Sequence, residues 1–305
     1  MYTENQIVAE IEKRFTEVLI IRNLQPNSIN TYVSIFRSFM GFCEKNNYNP
    51  KEIELPELNS FISLINSSSL MRQKIGVLKT LYDFVFNQGY KTYYLPYPKK
   101  KFTLPEYLTP YELSRVFDQI KNKKQKALVK LQYSCGLRVH EVVKIKRSDF
   151  IKKFDGNIQQ FVYDLRICGK GGAIREIPVP DETINEIFDY WRSLKEKPKE
   201  YLFEGQFADF YSIRSVQIIM RRALKKCGLI KSQPTHILRH SKACHLIQAN
   251  VDIRFIQKLL GHKRITTTEI YTNFKTTDMR VIFSRAELFT QQSVNQEKQN
   301  LLKSA

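Results

Sequence analysis

The chain has 305 residues, 42% of them apolar, and 49 lysines and arginines against 30 acidic residues, which leaves a net charge of +19. That length fits two domains better than one, and so strong a basic bias points to a polyanionic partner. No stretch approaches the roughly 20 apolar residues of a membrane span, so a helical membrane protein is excluded. The opening residues MYTENQIVAE lack the apolar core of a secretory signal. The five cysteines, Cys43, Cys135, Cys168, Cys227 and Cys244, show no C-x-x-C spacing. Neither a zinc site nor a disulfide framework is therefore expected, and a reducing, cytoplasmic location is.

The first ninety-odd residues read as a helical bundle. Ile7, Ile11, Phe15, Val18 and Leu19 line one side of a helix over 4–24. Pro26 restarts the chain, and Ile29, Tyr32, Val33, Phe36, Phe39 and Met40 make the next stripe. A third helix is expected from Pro56 to about Ile65. A fourth runs from about Ser69 to Asn87, with Ile75, Leu78, Leu81, Tyr82 and Val85 inward. The proline-rich stretch that follows, with Lys99–Lys101, reads as a linker over 96–106 that suits a strap along phosphates.

A second domain is expected over 107–290, opening at Thr109–Pro110, a good N-cap with proline at the first helical position. Helices are expected over 110–121 and 123–135, with Gly136 ending the second and LRVHEVVKIKRSDF beginning another. Residues 158–180 change period. FVYDLRI and IREIPVP alternate around the glycine turn CGKGGA, which predicts a β-hairpin with Lys170 at its tip. Helices resume at about 181–195 and 212–227. The polar end of the chain, 291–305, reads as a tail.

The most informative stretch is 234–274. Thr235 is expected to cap a helix that starts at His236, and His236 and Arg239, three apart, share a face. Asp252 starts the next helix, with Ile253, Ile256, Leu259 and Leu260 inward and Gly261 as its stop. His262 follows directly. Thr266 and Glu269 then read as a capping box for a short helix that carries Tyr271. Two further charged groups stand where helices and strands break: Arg138, with Glu141 three residues on to hold its guanidinium, and Lys170 between glycines.

Phosphodiester chemistry needs this set of groups. Two guanidiniums can grip the non-bridging oxygens by forked hydrogen bonds, and fixed cations favour the charge that gathers there in the transition state. A phenol can attack phosphorus and form a covalent intermediate, and an ammonium can protonate the leaving 5′ oxygen. That scheme calls for no metal and no other cofactor. Taken singly, each residue has a plainer reading: a salt bridge for Arg138, a solvated turn for Lys170, a buried core residue for Tyr271. His140, His240 and His245 are read as structural.

Four segments carry a family resemblance: CGLRVHEV at 135–142, GKGGAIREIPV at 169–179, HILRH at 236–240 and LLGHKRITTTEIYTN at 259–273. In order and separation they resemble the signature segments of the tyrosine recombinase (phage integrase) family, of the simple two-domain Xer or integron-integrase type. The resemblance implies a mainly α fold: a SAM-like helical core-binding domain over 1–95, then a mixed α+β catalytic domain with a small antiparallel sheet, closing as a C-shaped clamp on DNA. It implies cleavage and rejoining of DNA strands through a 3′-phosphotyrosyl link to Tyr271. Arg138 and Arg239 would bind the phosphate, Lys170 would protonate the leaving oxygen, and His262 would hydrogen-bond the phosphate. His236 would act as general base or orienting group, and Glu141 would support Arg138. The partners implied are double-stranded recombination sites and a homotetramer on two of them, with room for accessory DNA-bending or partner recombinase proteins. His140 stands where a small residue is common, HSKACHL replaces HSFATHL, and Asn273 stands where histidine is frequent; none of these removes a catalytic group. A type IB topoisomerase-like enzyme and a catalytically silent DNA-binding protein are the competing readings.

Overall fold

The structure is a computed structural model that describes residues 4–272 apart from 66, 100–103, 157–158, 170–171 and 207. Lys170, Lys100, Lys101 and the tail 291–305 therefore lie outside the described residues. The chain divides into two compact units, Met1–Thr103 and Leu104–Ala305.

The first unit is built from α1 (Glu4–Ile21), α2 (Pro26–Lys45), α3 (Leu55–Ser63) and α4 (Ser68–Phe84), with a 3₁₀ turn at Gly89–Thr92. The apolar stripes of these helices meet in one core. Phe15, Leu19, Phe36, Phe39, Phe61, Ile75, Leu78 and Leu81 are all fully buried in it, and Phe15 stacks on Phe36 with ring centroids 5.2 Å apart. Burying such side chains stabilises by about 1.5–3 kcal/mol each.

The second unit begins at α5 (Pro110–Asp118). Its start is set as the sequence predicts: the Thr109 hydroxyl accepts from the Glu112 N–H, and the Glu112 carboxylate accepts from the Thr109 N–H. Then come α6 (Lys123–Ser134), α7 (Val139–Val142), β1 (Phe150–Asp155), β2 (Gln160–Cys168), β3 (Ile174–Val179), α8 (Asp181–Arg192), α9 (Ile213–Lys226), α10 (His236–Gln248), α11 (Ile253–Leu260) and α12 (Thr266–Glu269). The strands form one antiparallel sheet in the order β1-β2-β3. Helix α6 packs against both α8 and α10, burying Ala127, Leu128, Val129 and Leu131. The architecture is thus mainly α with a small antiparallel sheet, as expected.

Four local expectations are corrected. The helix read from Leu137 to Phe150 is only the four residues of α7. Past Val143 the backbone turns away to pair elsewhere: Leu202 N–H donates to Ile145 O, and Lys146 bridges Tyr201. The hairpin β2–β3 is present, but β1 joins it as an unforeseen third strand, Phe150 opposite Leu165 and Asp155 opposite Gln160. Its sequence FIKKFD hides the alternation because Lys152, Lys153 and Phe154 are all exposed. The Thr266–Glu269 capping box does not form, and Tyr271 sits just beyond the end of α12 rather than within it. Thr235 precedes α10 but its side chain makes no cap either.

Candidate active site

The site is assembled from helix ends and one strand. Gly136, at φ +59°, lets the chain reverse after α6 and brings Arg138 to the start of α7. Glu141 is buried, and its carboxylate accepts hydrogen bonds from two arginines. Arg138 donates through its backbone N–H at 2.9 Å and Nη1 at 3.1 Å. Arg175 on β3 donates through Nη1 at 3.1 Å and Nη2 at 2.8 Å. Burial by itself would raise the Glu141 pKa, but the hydrogen bonds and charge of Arg175, with those of Arg138, hold it below the usual carboxylate range. A buried carboxylate held charged between two guanidiniums fixes where both can point.

Arg239 lies on α10, 4% exposed. Its Nη1 donates to Gly136 O at 2.8 Å and its Nη2 to Leu260 O at 2.6 Å. It thereby ties α10 to the turn before Arg138 and to the end of α11. Burial, and then the neighbouring charge of Arg138, pull its pKa down to about 10, so the guanidinium stays cationic at neutral pH. Helix α11 ends as expected: the Asp252 side chain accepts from the Arg254 N–H, and Gly261 adopts φ +64°. That left-handed residue turns His262 back towards the arginines.

The Nδ1 of His262 lies 2.8 Å from the hydroxyl of Thr268, which is fully buried. Burial, reinforced by Arg239 and Arg138, lowers the His262 pKa to about 4. His236 opens α10, and its pKa is likewise lowered by burial, then by Arg239, His140 and Arg138. Its ring lies 6.4 Å from that of His240.

Tyr271 is only 2% exposed. Its ring packs in an apolar cluster with Ala243, Cys244, Ile247, Ile256 and Leu260, and its hydroxyl lies 2.6 Å from His240 Nδ1. Burial raises the phenol pKa to about 12, against the opposing pull of Arg239 and Arg138. The His240 pKa is pushed down to about 4 by burial, then by His236 and Arg239. At neutral pH the imidazole is therefore neutral and the phenol protonated, and the two share one hydrogen bond whose donor is set by the imidazole tautomer.

Of the seven residues singled out in the sequence, six gather here: Arg138, Glu141, His236, Arg239, His262 and Tyr271. Lys170, the seventh, lies outside the described residues, although Gly169 beside it is seen. Three more belong with them and were not singled out: His240, read as structural but bonded to the Tyr271 hydroxyl; Arg175; and Thr268. Only proximity in the fold marks them. His245 is structural as read, its ring bridging Tyr133 Oη at 2.8 Å and Leu108 O at 2.9 Å.

The chain is similar to proteins of known kind. The phage integrase family matches residues 106–277. A tyrosine recombinase of Pseudothermotoga lettingae is 28% identical over 274 residues, covering 86% of this chain and 92% of its own. The tyrosine recombinase XerC of Staphylococcus epidermidis is 26% identical over 294 residues, covering 91% and 97%. The crystal structure of the XerH site-specific recombinase bound to its difH substrate superposes with a TM-score of 0.69 at 23% identity, covering 92% of this chain and 84% of that one. With more than half its length matched, the chain belongs to the phage integrase family of tyrosine recombinases.

Proposed function

We propose that this protein is a site-specific DNA recombinase that cleaves and rejoins strands through a 3′-phosphotyrosyl intermediate on Tyr271. One observation carries the reading: the phenol of the site is hydrogen-bonded to a neutral imidazole and stands within the electrostatic reach of two guanidiniums, Arg138 and Arg239.

In the reaction, the Tyr271 oxygen bonds to phosphorus and the bond to the 5′ oxygen breaks. Arg138 and Arg239 hold the non-bridging oxygens and offset the charge that gathers on them. His262, with Nδ1 engaged by Thr268, offers its other nitrogen to the phosphate. His236 orients the phenol or takes its proton, and Lys170 gives a proton to the departing 5′ oxygen. Attack by the 5′ hydroxyl of the new strand reverses each step. The energy of the broken ester stays in the phosphotyrosine, so resealing draws on no nucleotide. Attack also requires the Tyr271 ring to leave its apolar seat, because a hydroxyl on a ring 2% exposed cannot meet a DNA phosphate.

The partners belong to the same proposal. The net charge of +19 supports duplex DNA as ligand. The first unit serves as the core-binding domain, a homotetramer on two sites follows from the family resemblance, and the rearrangement is integration, excision or resolution of DNA, as for a mobile element. No described helix is long and apolar enough to cross a membrane, and action on cytoplasmic DNA fits the reading.

The test starts from footprinting of the DNA that flanks the gene, which supplies a site. A nicked duplex carrying that site should then yield a covalent protein–DNA band on a denaturing gel without ATP. Absence of any covalent band on a footprinted site would overturn the proposal.

A further inference from the structure

His262 is held at its backbone and at one ring nitrogen. Its N–H donates to Gln257 O at 3.1 Å, and the Gln257 side-chain amide donates to His262 O at 3.0 Å. Nδ1 of the ring lies 2.8 Å from the Thr268 hydroxyl, and Nε2 makes no hydrogen bond among the described residues. Thr268 is fully buried, and within the described residues its hydroxyl meets no other polar partner. Its backbone belongs to the nucleophile's own segment: the Thr268 N–H donates to Ile265 O at 2.7 Å, and Thr268 O accepts from the Tyr271 N–H at 3.0 Å. A neutral imidazole carries one N–H and one lone pair. Non-bridging phosphate oxygens only accept, so the ring nitrogen that meets them must carry the hydrogen. Burial keeps His262 neutral at neutral pH, and the tautomer then decides whether the ring attracts a phosphate or repels it.

We infer that Thr268 is a positioning residue: its hydroxyl donates to Nδ1 of His262, which fixes the hydrogen of the ring on Nε2, where it can donate to a non-bridging oxygen of the scissile phosphate. The orientation of the imidazole is thereby set from the segment that carries Tyr271. Valine has nearly the shape of threonine but no hydrogen to donate, whereas serine keeps the hydroxyl. The inference rests on the reading of His262 as a phosphate ligand.

The tautomer can be read directly on the full-length protein without DNA. Long-range proton–nitrogen NMR correlations of isotope-labelled histidine at neutral pH distinguish the two ring nitrogens, and the signals missing from His262→Asn belong to His262. Nε2–H is expected. Nδ1–H would mean that the Thr268 hydroxyl accepts, and would overturn the inference. The second readout is the rate of covalent adduct formation on the nicked duplex. Thr268→Val should still bind the site but cleave about 10-fold more slowly, the worth of one hydrogen bond, and Thr268→Ser should recover most of that loss. Added to His262→Asn, the valine should slow cleavage no further, because it acts through the imidazole. A valine variant at the wild-type rate, a serine variant as slow as the valine one, or losses that multiply in the double variant would each overturn the positioning role. Thermal melting shows whether Thr268→Val is folded; if it is not, the tautomer of the wild type decides alone. The two readings fail differently. No adduct from the wild type sinks the proposed reaction, whereas the tautomer is read with no DNA present.

Discussion

The hydroxyl of Tyr271 lies 2.6 Å from Nδ1 of His240, and both side chains are largely withdrawn from water. The nucleophile of the proposed reaction is thus stored in a hydrogen bond to an imidazole that no local pattern singles out. The bond satisfies a buried polar group at the rim of an otherwise apolar cluster.

His240→Leu should leave that hydroxyl without a partner and lower stability by about 1–3 kcal/mol. Tyr271→Phe removes the hydroxyl as well, so in the double variant the penalty should shrink. A double-mutant cycle read by urea denaturation should give a coupling of roughly 0.5–3 kcal/mol. Strict additivity would show that the two groups do not hold each other.

Glu141→Gln should cost about 3–5 kcal/mol, the range for breaking a buried ion pair by removing one partner. Glutamine can accept from one guanidinium but offers its amide N–H groups to the other, where two donors would meet. Cleavage should fall with stability, because Arg138 loses its fixed anchor. A variant as stable as the wild type would show that the arginine hydrogen bonds to Glu141 are not formed in solution.

Gly261→Ala tests how His262 is delivered. At φ +64° an alanine is strained by about 1–2 kcal/mol, and its methyl would press against Arg175 at 3.2 Å. Melting should drop, and cleavage should fall further than melting explains because His262 is displaced. An alanine variant cleaving at the wild-type rate would contradict the geometry of this turn.

Stability should depend on acid pH. His240 and His262 take up protons near pH 6.5 in the unfolded chain but only near 4 in the folded one. The unfolded state then binds more protons between those values, so stability is fully present above about pH 6.5 and is lost as pH falls towards 4. A pKa that differs by one between the folded and unfolded chain is worth about 1.4 kcal/mol. Melting curves from pH 7 to 5 should show a decline that is shallower in His262→Asn. Identical slopes in the two proteins would show that His262 titrates normally.

Much of this site could be read from residue order because its groups sit where local rules act. Thr109, Pro110, Asp252 and Gly261 mark helix ends by their own chemistry, and Gly261 leads directly into His262. What escaped depends on contacts between distant segments. Arg175 looks like one polar residue of an alternating strand until β3 brings it to Glu141, 34 residues away. Helix α7 is cut short by pairing of Ile145 and Lys146 with residues near 201, which no local pattern announces. His240 sits one residue after Arg239, and only the return of the chain past α12 places a phenol against it.

The proposed chemistry turns on one oxygen, that of Tyr271, forming the bond to DNA. Trapping the adduct on a nicked substrate, digesting it and sequencing the nucleotide-bearing peptide by mass spectrometry tests this directly. Nucleotide is expected on Tyr271 alone, and no adduct from Tyr271→Phe although that variant still binds the site. Nucleotide on any other residue, or an adduct from the phenylalanine variant, would contradict the assignment.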